Sequence, residues 1–331
     1  MGTAFRQTAD LYGILATAYV LIRLLSGERF APVAAINHGG LAALWPALAL
    51  FWLAAAQRDR GRLVLYALPA LDLLLQQNYW RQEARPFTPD RAGFSLLTFN
   101  LQGRAVKSDR LIALMREQRA DIVCLQELTA SAASAVSCSF RDEYPFREVF
   151  TQGETIHGCA IYSRFPLRGA EYLAGEHGHW RVLVDGLRSD GEVAVYSVHP
   201  SPPGGFRNRR GFAPLYRSRE LDVILARAER ESVPVILAGD FNFTELSDDY
   251  RRMRQRFRDV FADAGTGFGL THPDLGMLHP RLGGTWFGLT RLDYIFVSEG
   301  VEAVSIRVLP EACGSDHRPV IAKLAFPSGK G

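Results

Sequence analysis

Cysteine is scarce in this chain of 331 residues: Cys124, Cys138, Cys159 and Cys313 are the whole complement, and no two have C-x-x-C spacing. That argues against a zinc site built on thiolates. Cys124 and Cys159 fall inside apolar strand-like runs, where a small hydrophobe is expected, and a Cys138–Cys313 disulfide stays open at this point. Surplus charge of either sign is also lacking, with 38 Lys and Arg against 35 Asp and Glu. A chain so balanced carries no global signature of nucleic-acid binding, so any basic surface must be local. There is neither an internal repeat nor a low-complexity stretch.

The charge is unevenly spread. Residues 1–80 contain six basic and four acidic residues and an uncharged run from Phe30 to Gln57, which leaves 32 basic and 31 acidic residues to the remainder. Three apolar blocks, Leu11–Leu25, Leu41–Ala56 and Leu63–Trp80, are separated by Ser26–Arg29 with a polar Asn37-His38-Gly39-Gly40 break, and by Gln57–Arg62. We read them as three membrane-spanning helices. Each is short for a bilayer core of about 30 Å, which takes about 20 residues, but flanks such as Pro32–Ile36 can extend them. The alternative is a buried helical hairpin of a soluble protein. A cleaved signal peptide fits worse, because further apolar blocks follow the first and no small-residue cleavage site stands out.

Arg58, Arg60 and Arg62 crowd the second connection, and positive residues prefer the cytoplasmic side of a bacterial-type inner membrane. Three spans then put the C-terminal part outside, although Arg23 and Arg29 in the opposite loop and Arg81, Arg85 and Arg91 after the last block weigh against that orientation. Asp72 in the third block is costly in lipid unless it faces another helix or lies near the interface. The expected division is a membrane region at 1–80, a Pro-containing linker at 81–91, a catalytic domain at 92–327 and a tail at 328–331.

From Phe94 onward, short apolar runs alternate with polar helical stretches: Phe94–Phe99, Ile122–Leu125, Cys159–Tyr162, Val182–Val184, Val193–Val198, Val235–Ala238, Tyr294–Val297 and Val320–Leu324. Their lengths suit buried strands, while Asp109–Gln118 and Arg217–Arg230 have helical periodicity. Many strands with few long helices point to an α/β (α+β) domain of two packed sheets flanked by helices.

Polar residues suited to phosphate chemistry recur where these strands end: Thr98-Phe99-Asn100, Leu125-Gln126-Glu127, Ser197-Val198-His199-Pro200, Gly239-Asp240-Phe241-Asn242, Arg291-Leu292-Asp293-Tyr294 and Gly314-Ser315-Asp316-His317-Arg318-Pro319. Singly these are weak signals. In this order, over about 235 residues, they resemble the endonuclease/exonuclease/phosphatase superfamily of DNase I-like nucleases, abasic-site endonucleases, neutral sphingomyelinases and inositol phosphatases. The resemblance implies a four-layer α/β-β/α sandwich and a metal-dependent hydrolase of phosphate esters.

Mg²⁺, with Mn²⁺ as a substitute, takes oxygen ligands, so Glu127 is the expected primary ligand with Asn100 beside it; by resemblance Asp316 lies near the same metal. Asp240 and Asn242 match the pair that positions and activates the attacking water. His317 would donate to the phosphoryl oxygen or share the base role, with Asp293 holding its tautomer; the assignment of the base between Asp240 and the His317–Asp293 pair stays open. His199 matches a contact to the scissile phosphate and a candidate acid for the leaving group. Taken alone, Glu127 and Asp240 would be read as helix N-caps. His157, His177, His179, His272 and His279 are read as surface or loop residues, and Trp286 as a core residue.

Departures from the pattern bear on substrate. Gln102 stands where the abasic-site endonucleases carry an acid, and the W-x-G-D-x-N-[FY]-R and P-x-W-C-D-R signatures of inositol polyphosphate 5-phosphatases are missing. His199-Pro200-Ser201-Pro202-Pro203, followed by Arg207, Arg209 and Arg210, resembles the H-x-x-P-P loop of bacterial membrane-bound members, including glycopeptide-resistance-associated proteins. Those arginines would bind an anionic headgroup or second phosphate, or form a solvated basic loop. Three readings follow: a phosphoesterase on a lipid-linked phosphate or diphosphate at the bilayer, an extracytoplasmic nuclease on DNA or RNA, and a silent membrane scaffold.

Overall fold

A computed structural model describes residues 2–76, 93–173, 175, 177–188, 191–204, 214–273 and 289–327. The expected linker at 81–91 and tail at 328–331, together with Arg207, Arg209, Arg210, His279 and Trp286, lie outside the described residues.

The N-terminal region forms four helices, α1 (Thr3–Ser26), α2 (Ala31–His38), α3 (Trp45–Ala56) and α4 (Arg60–Gln76). Among the described residues, only α1 with its following turn, Thr3–Arg29, is long and apolar enough to cross a membrane; a signal sequence or a core helix meets the same test. The expectation of three spanning lengths is thus met by one helix. 3₁₀ segments at Gly27–Arg29 and Gly40–Leu44 break up the apolar sequence ahead of α3, which has 12 residues, and α4, after the turn at 57–59, has 17 described residues with an internal Pro69. Asp72 faces another helix, pairing with the buried Arg23 of α1.

The remainder runs β1 (Gly93–Asn100), α5 (Ser108–Gln118), β2 (Ile122–Gln126), α6 (Ala130–Ser139), β3 (Phe146–Phe150), β4 (Cys159–Ser163), β5 (Leu167–Leu173), β6 (His179–Arg188), β7 (Gly191–Val198), α7 (Leu215–Ala228), β8 (Val235–Asp240), α8 (Asp248–Arg254), β9 (Arg258–Asp259), α9 (Val260–Ala264), β10 (Asp293–Val297), β11 (Glu302–Val308) and β12 (Val320–Ala325). The strands make two six-stranded sheets, ordered β11-β12-β1-β2-β4-β3 and β5-β6-β7-β8-β10-β9.

Strand alternation builds the layers, because neighbouring side chains point to opposite faces. Leu96, Cys124 and Ile161 of the first sheet meet Val182, Val195, Ile236 and Ile295 of the second in the central core. Their neighbours Leu97, Phe99, Val123 and Leu125 turn outward onto Leu111, Leu114 and Val136 of α5 and α6. On the second sheet, Tyr196, Leu237 and Tyr294 turn outward onto Leu221 and Ile224 of α7 and Tyr250 of α8. Strands covered on both faces are apolar throughout, which is why they read as continuous runs. The four strands without such a run, β3, β5, β9 and β11, are the four sheet edges, where most positions are half-buried or exposed.

All four cysteines are free, so Cys138 and Cys313 are not joined.

Candidate active site

The sheet register brings the polar strand ends together. Asn100 at the end of β1 is level with Gln126 at the end of β2, Val198 of β7 is level with Gly239 of β8, and Asp293 of β10 pairs with Asp240 of β8. At Gly239 a Cβ would overlap the Val198 carbonyl oxygen, so the close approach of β7 and β8 beneath Asp240 requires glycine. Two ends turn sharply: Glu127 and Asn242 both hold left-handed backbone, with φ of 51° and 53°. Such strain in non-glycine residues persists only where the surroundings enforce it, and it gathers at functional clefts.

Asn100 joins the two sheets, its Nδ2 donating to Glu127 Oε1 at 3.2 Å and to Asp240 Oδ2 at 2.9 Å. As oriented, it clamps the two carboxylates, and its Oδ1 accepts from Gln102 N at 3.0 Å. Asp240 Oδ1 accepts from Asn242 N at 2.9 Å, and Asn242 Nδ2 donates to Pro200 O at 2.9 Å. His317 Nδ1 lies 2.9 Å from Asp293 Oδ2, while its Nε2 stands 3.7 Å from Asp240 Oδ2. His199 Nε2 is 3.7 Å from both Glu127 Oε1 and Asp240 Oδ2. Asn100, Glu127, His199, Asp240, Asn242, Asp293, Asp316 and His317 therefore share one cleft. Arg207, Arg209 and Arg210 are outside the described residues.

Burial and charge divide the titratable groups. Burial opposes charge on His317, yet Asp293 and Asp240 outweigh it and push the imidazole up to about 10. Desolvation, with help from His177 and His179, holds His199 well below the ordinary histidine range, so it is neutral near pH 7. Burial pushes Glu127 up to about 7 against its bond from Asn100, and burial likewise raises Asp240 against the pull of His317. Asp316 is also partly desolvated, but His272 and His317 hold it below the usual carboxylate range.

Four carboxylates thus face one imidazolium held charged. Asp293 Oδ1 is buried without a hydrogen-bond partner among the described residues. Ligand atoms of Asp240, Asp293 and His317, and of His272, Asp316 and His317, form two groups whose members lie within 4.8 Å of one another. An oxygen-rich pocket with surplus negative charge fits a hard divalent cation.

Several contributors escape the sequence reading. Gln102, noted only as a departure, accepts from Asp316 N at 3.0 Å and so holds the Asp316 loop. Ser315 Oγ donates to Asn100 O at 2.8 Å and accepts from His317 N at 3.0 Å. His272, expected on the surface or in a loop, has its ring 4.6 Å from that of His317 and its Nε2 3.6 Å from Asp316 Oδ2. His177 lies in a loop as expected but is buried, stacking on His199 at 4.3 Å; His179 opens β6, buried, which corrects the expectation for it, and its Nδ1 accepts from His199 N at 3.0 Å. Gln102 and Ser315 were within reach, since Ser315 lies inside a quoted motif and Gln102 two residues beyond another. His272, over forty residues from the nearest acid it meets, carries no local signal.

The model of the Endonuclease/Exonuclease/phosphatase family matches residues 97–317. No curated protein matches the sequence. Among solved structures, an endonuclease/exonuclease/phosphatase from Bacteroides vulgatus is similar at 18% identity and TM-score 0.55, covering 71% of this chain and 99% of that one. A humanized D. rerio TDP2 is similar at 17% and 0.56, covering 71% and 100%. The human Nocturnin catalytic domain with bound sulfate anion is similar at 17% and 0.52, covering 71% and 95%. At these identities the likeness is one of fold. Members of this family are typically hydrolases of phosphate esters and generally depend on a divalent metal. The chain belongs to the Endonuclease/Exonuclease/phosphatase family.

Proposed function

We propose that this chain is a Mg²⁺-dependent phosphoesterase, with Mn²⁺ able to substitute, held at a membrane by its N-terminal helices and acting on a lipid-linked phosphate ester or diphosphate at the extracytoplasmic face. The observation that carries the chemistry is the position of Asp240. It receives the Asn100 amide at 2.9 Å and lies 3.7 Å from the Nε2 atoms of both His199 and His317, with Glu127 on the adjoining strand end.

A cation held by Glu127 and Asp316 would relieve charge on a non-bridging phosphoryl oxygen. Asp240, fixed through both oxygens and raised toward neutrality by burial, takes a proton from the attacking water. As the water oxygen bonds to phosphorus, the ester P–O bond breaks, and the departing oxygen takes its proton from solvent. His317, kept charged by Asp293, donates to a phosphoryl oxygen as negative charge grows there. His199 is neutral, which suits it to hydrogen-bond the phosphoryl group and not to serve as an acid.

The membrane reading is supported by apolar side chains left bare around the N-terminal helices, among them Leu15 at 61%, Leu25 at 88%, Trp52 at 65% and Val64 at 77% exposure. Exposed apolar surface on that scale needs a cover, and lipid supplies one. Orientation has support too. Arg62 beside the Arg58–Arg60 turn bonds Asp10, while Glu28 at the other end of α1 touches the catalytic sandwich. From Asp10 to Ser26, where α1 ends just before Glu28, the helix rises about 24 Å at 1.5 Å per residue. A basic turn at the end opposite the sandwich is the arrangement that puts the sandwich outside.

Full-length protein in detergent, given Mg²⁺, should hydrolyse a polyprenyl diphosphate and leave plasmid DNA intact, with the activity lost on chelation. Nicking of DNA with no turnover of the lipid would replace this reading with the nuclease one.

A further inference from the structure

The segment that follows Asp240 is gripped by the N-terminal helical region. Arg217 of α7 is 1% exposed and its guanidinium spans the junction. Nη1 donates to Asn242 O at 2.7 Å, Nε to Asp249 Oδ2 at 2.9 Å, and Nη2 to Glu28 Oε2 at 3.2 Å. Glu28 N also donates to Asp248 Oδ2 at 2.8 Å, directly after Gly27, whose φ is 58° and whose Cβ would stand 2.5 Å from that same carboxylate oxygen. Asn37 is fully buried, with Nδ2 donating to Glu28 Oε1 and Leu246 O, both at 3.2 Å, and its carbonyl accepts from Thr244 Oγ1. Residues 242, 244, 246 and 248 are thus each tied, directly or through Arg217, to the turn after α1 or to α2.

Asn242 is the second member of the Asp-x-Asn turn and holds left-handed backbone. Its N–H fixes Asp240 Oδ1, so whatever fixes the backbone on either side of the Asn242 Cα also steadies the carboxylate that faces the attacking water. A strained turn keeps its geometry only while its surroundings impose it. Glu28 offsets the Arg217 charge from the side of the N-terminal helices.

We propose that Glu28 and Arg217 form a positioning pair through which the docked N-terminal helices hold the Asp240–Asn242 turn in its working geometry, so that turnover depends on that docking. This rests on the phosphoesterase reading above. Neither residue touches the reacting atoms; both act through Asn242.

The test uses the full chain in lipid nanodiscs, with bis-p-nitrophenyl phosphate and Mg²⁺. Glu28→Gln should lower kcat about tenfold with KM unchanged, because a mis-set base slows chemistry without weakening binding. Arg217→Lys should lower it at least as much, and the double variant should be no slower than Arg217→Lys alone, as expected of residues acting as one unit. Asp222→Asn, on the exposed side of α7, should match wild type. Hydrogen exchange of the 241–247 backbone should be several-fold faster in Glu28→Gln. A kcat within twofold of wild type, losses that multiply in the double variant, or unchanged exchange would each overturn the proposal. If Arg217→Lys does not fold, Glu28→Gln decides alone. If wild type hydrolyses no phosphate ester, the phosphoesterase reading fails, and the exchange comparison still judges the pair.

Discussion

In the N-terminal helices the buried and half-buried charges come in pairs: Arg23 with Asp72, Arg62 with Asp10 and Asp59, and Glu28 with Arg217. In the cleft of the sandwich, Glu127, Asp240, Asp293 and Asp316 crowd around His317 with too little positive charge to balance them. The same sandwich pairs its charges elsewhere, as where Arg291 meets Asp259 and Glu245 or Arg181 meets Glu231. Paired charge fixes structure, whereas a pocket of surplus carboxylate costs stability until a cation and a phosphate enter it.

The strongest way to break the comparison is to remove one partner of a balanced pair. Asp72→Ala leaves Arg23 buried alone and should cost roughly 3–5 kcal/mol of helix-region stability, read by thermal unfolding in detergent. The double replacement Arg23→Leu, Asp72→Leu should recover most of that loss. An Asp72→Ala protein as stable as wild type would show the pair to be incidental.

A smaller effect separates burial from pairing. Burial drives His179 down to about 3, far below its unfolded value. A histidine depressed in this way contributes its full stability above the unfolded pKa of about 6.5, and loses it as pH falls toward the folded value. Between pH 7 and pH 5 the loss from this group should be about 2 kcal/mol. Chemical denaturation of His179→Gln should therefore show a shallower acid slope than wild type, and equal slopes would mean that His179 is protonated in the fold.

The smallest effect is a gain. Glu127→Gln removes one crowded carboxylate, so the metal-free protein should be more stable by about 1 kcal/mol while losing its stabilisation by Mg²⁺. A variant less stable than wild type without metal would show that the carboxylate is already balanced.

The interior strands were legible because both of their faces are covered, and the cleft was legible because its residues terminate those strands. β3, β5, β9 and β11 escaped, since an edge strand such as β5 exposes Arg168, Gly169 and Ala170 in succession and carries no apolar run. The Asn37–Gly40 stretch read as a polar break between two apolar blocks, but Asn37 contacts Leu246, 209 positions away. Arg217 likewise read only as the start of a helical stretch, and the fold buries it among acids from two distant segments. Charge counts along the chain cannot distinguish a solvated arginine from one enclosed by partners that tertiary structure supplies.

Hydrolysis of bis-p-nitrophenyl phosphate with Mg²⁺, compared between wild type and Asp240→Ala, tests the cleft most directly. Loss of at least about a thousandfold in kcat is expected if, as proposed, Asp240 is the proton acceptor. The variant should unfold at the same temperature or higher. Equal rates in the two proteins would contradict the assignment of Asp240, and with it the reading of the surplus carboxylates as a phosphoryl-transfer centre.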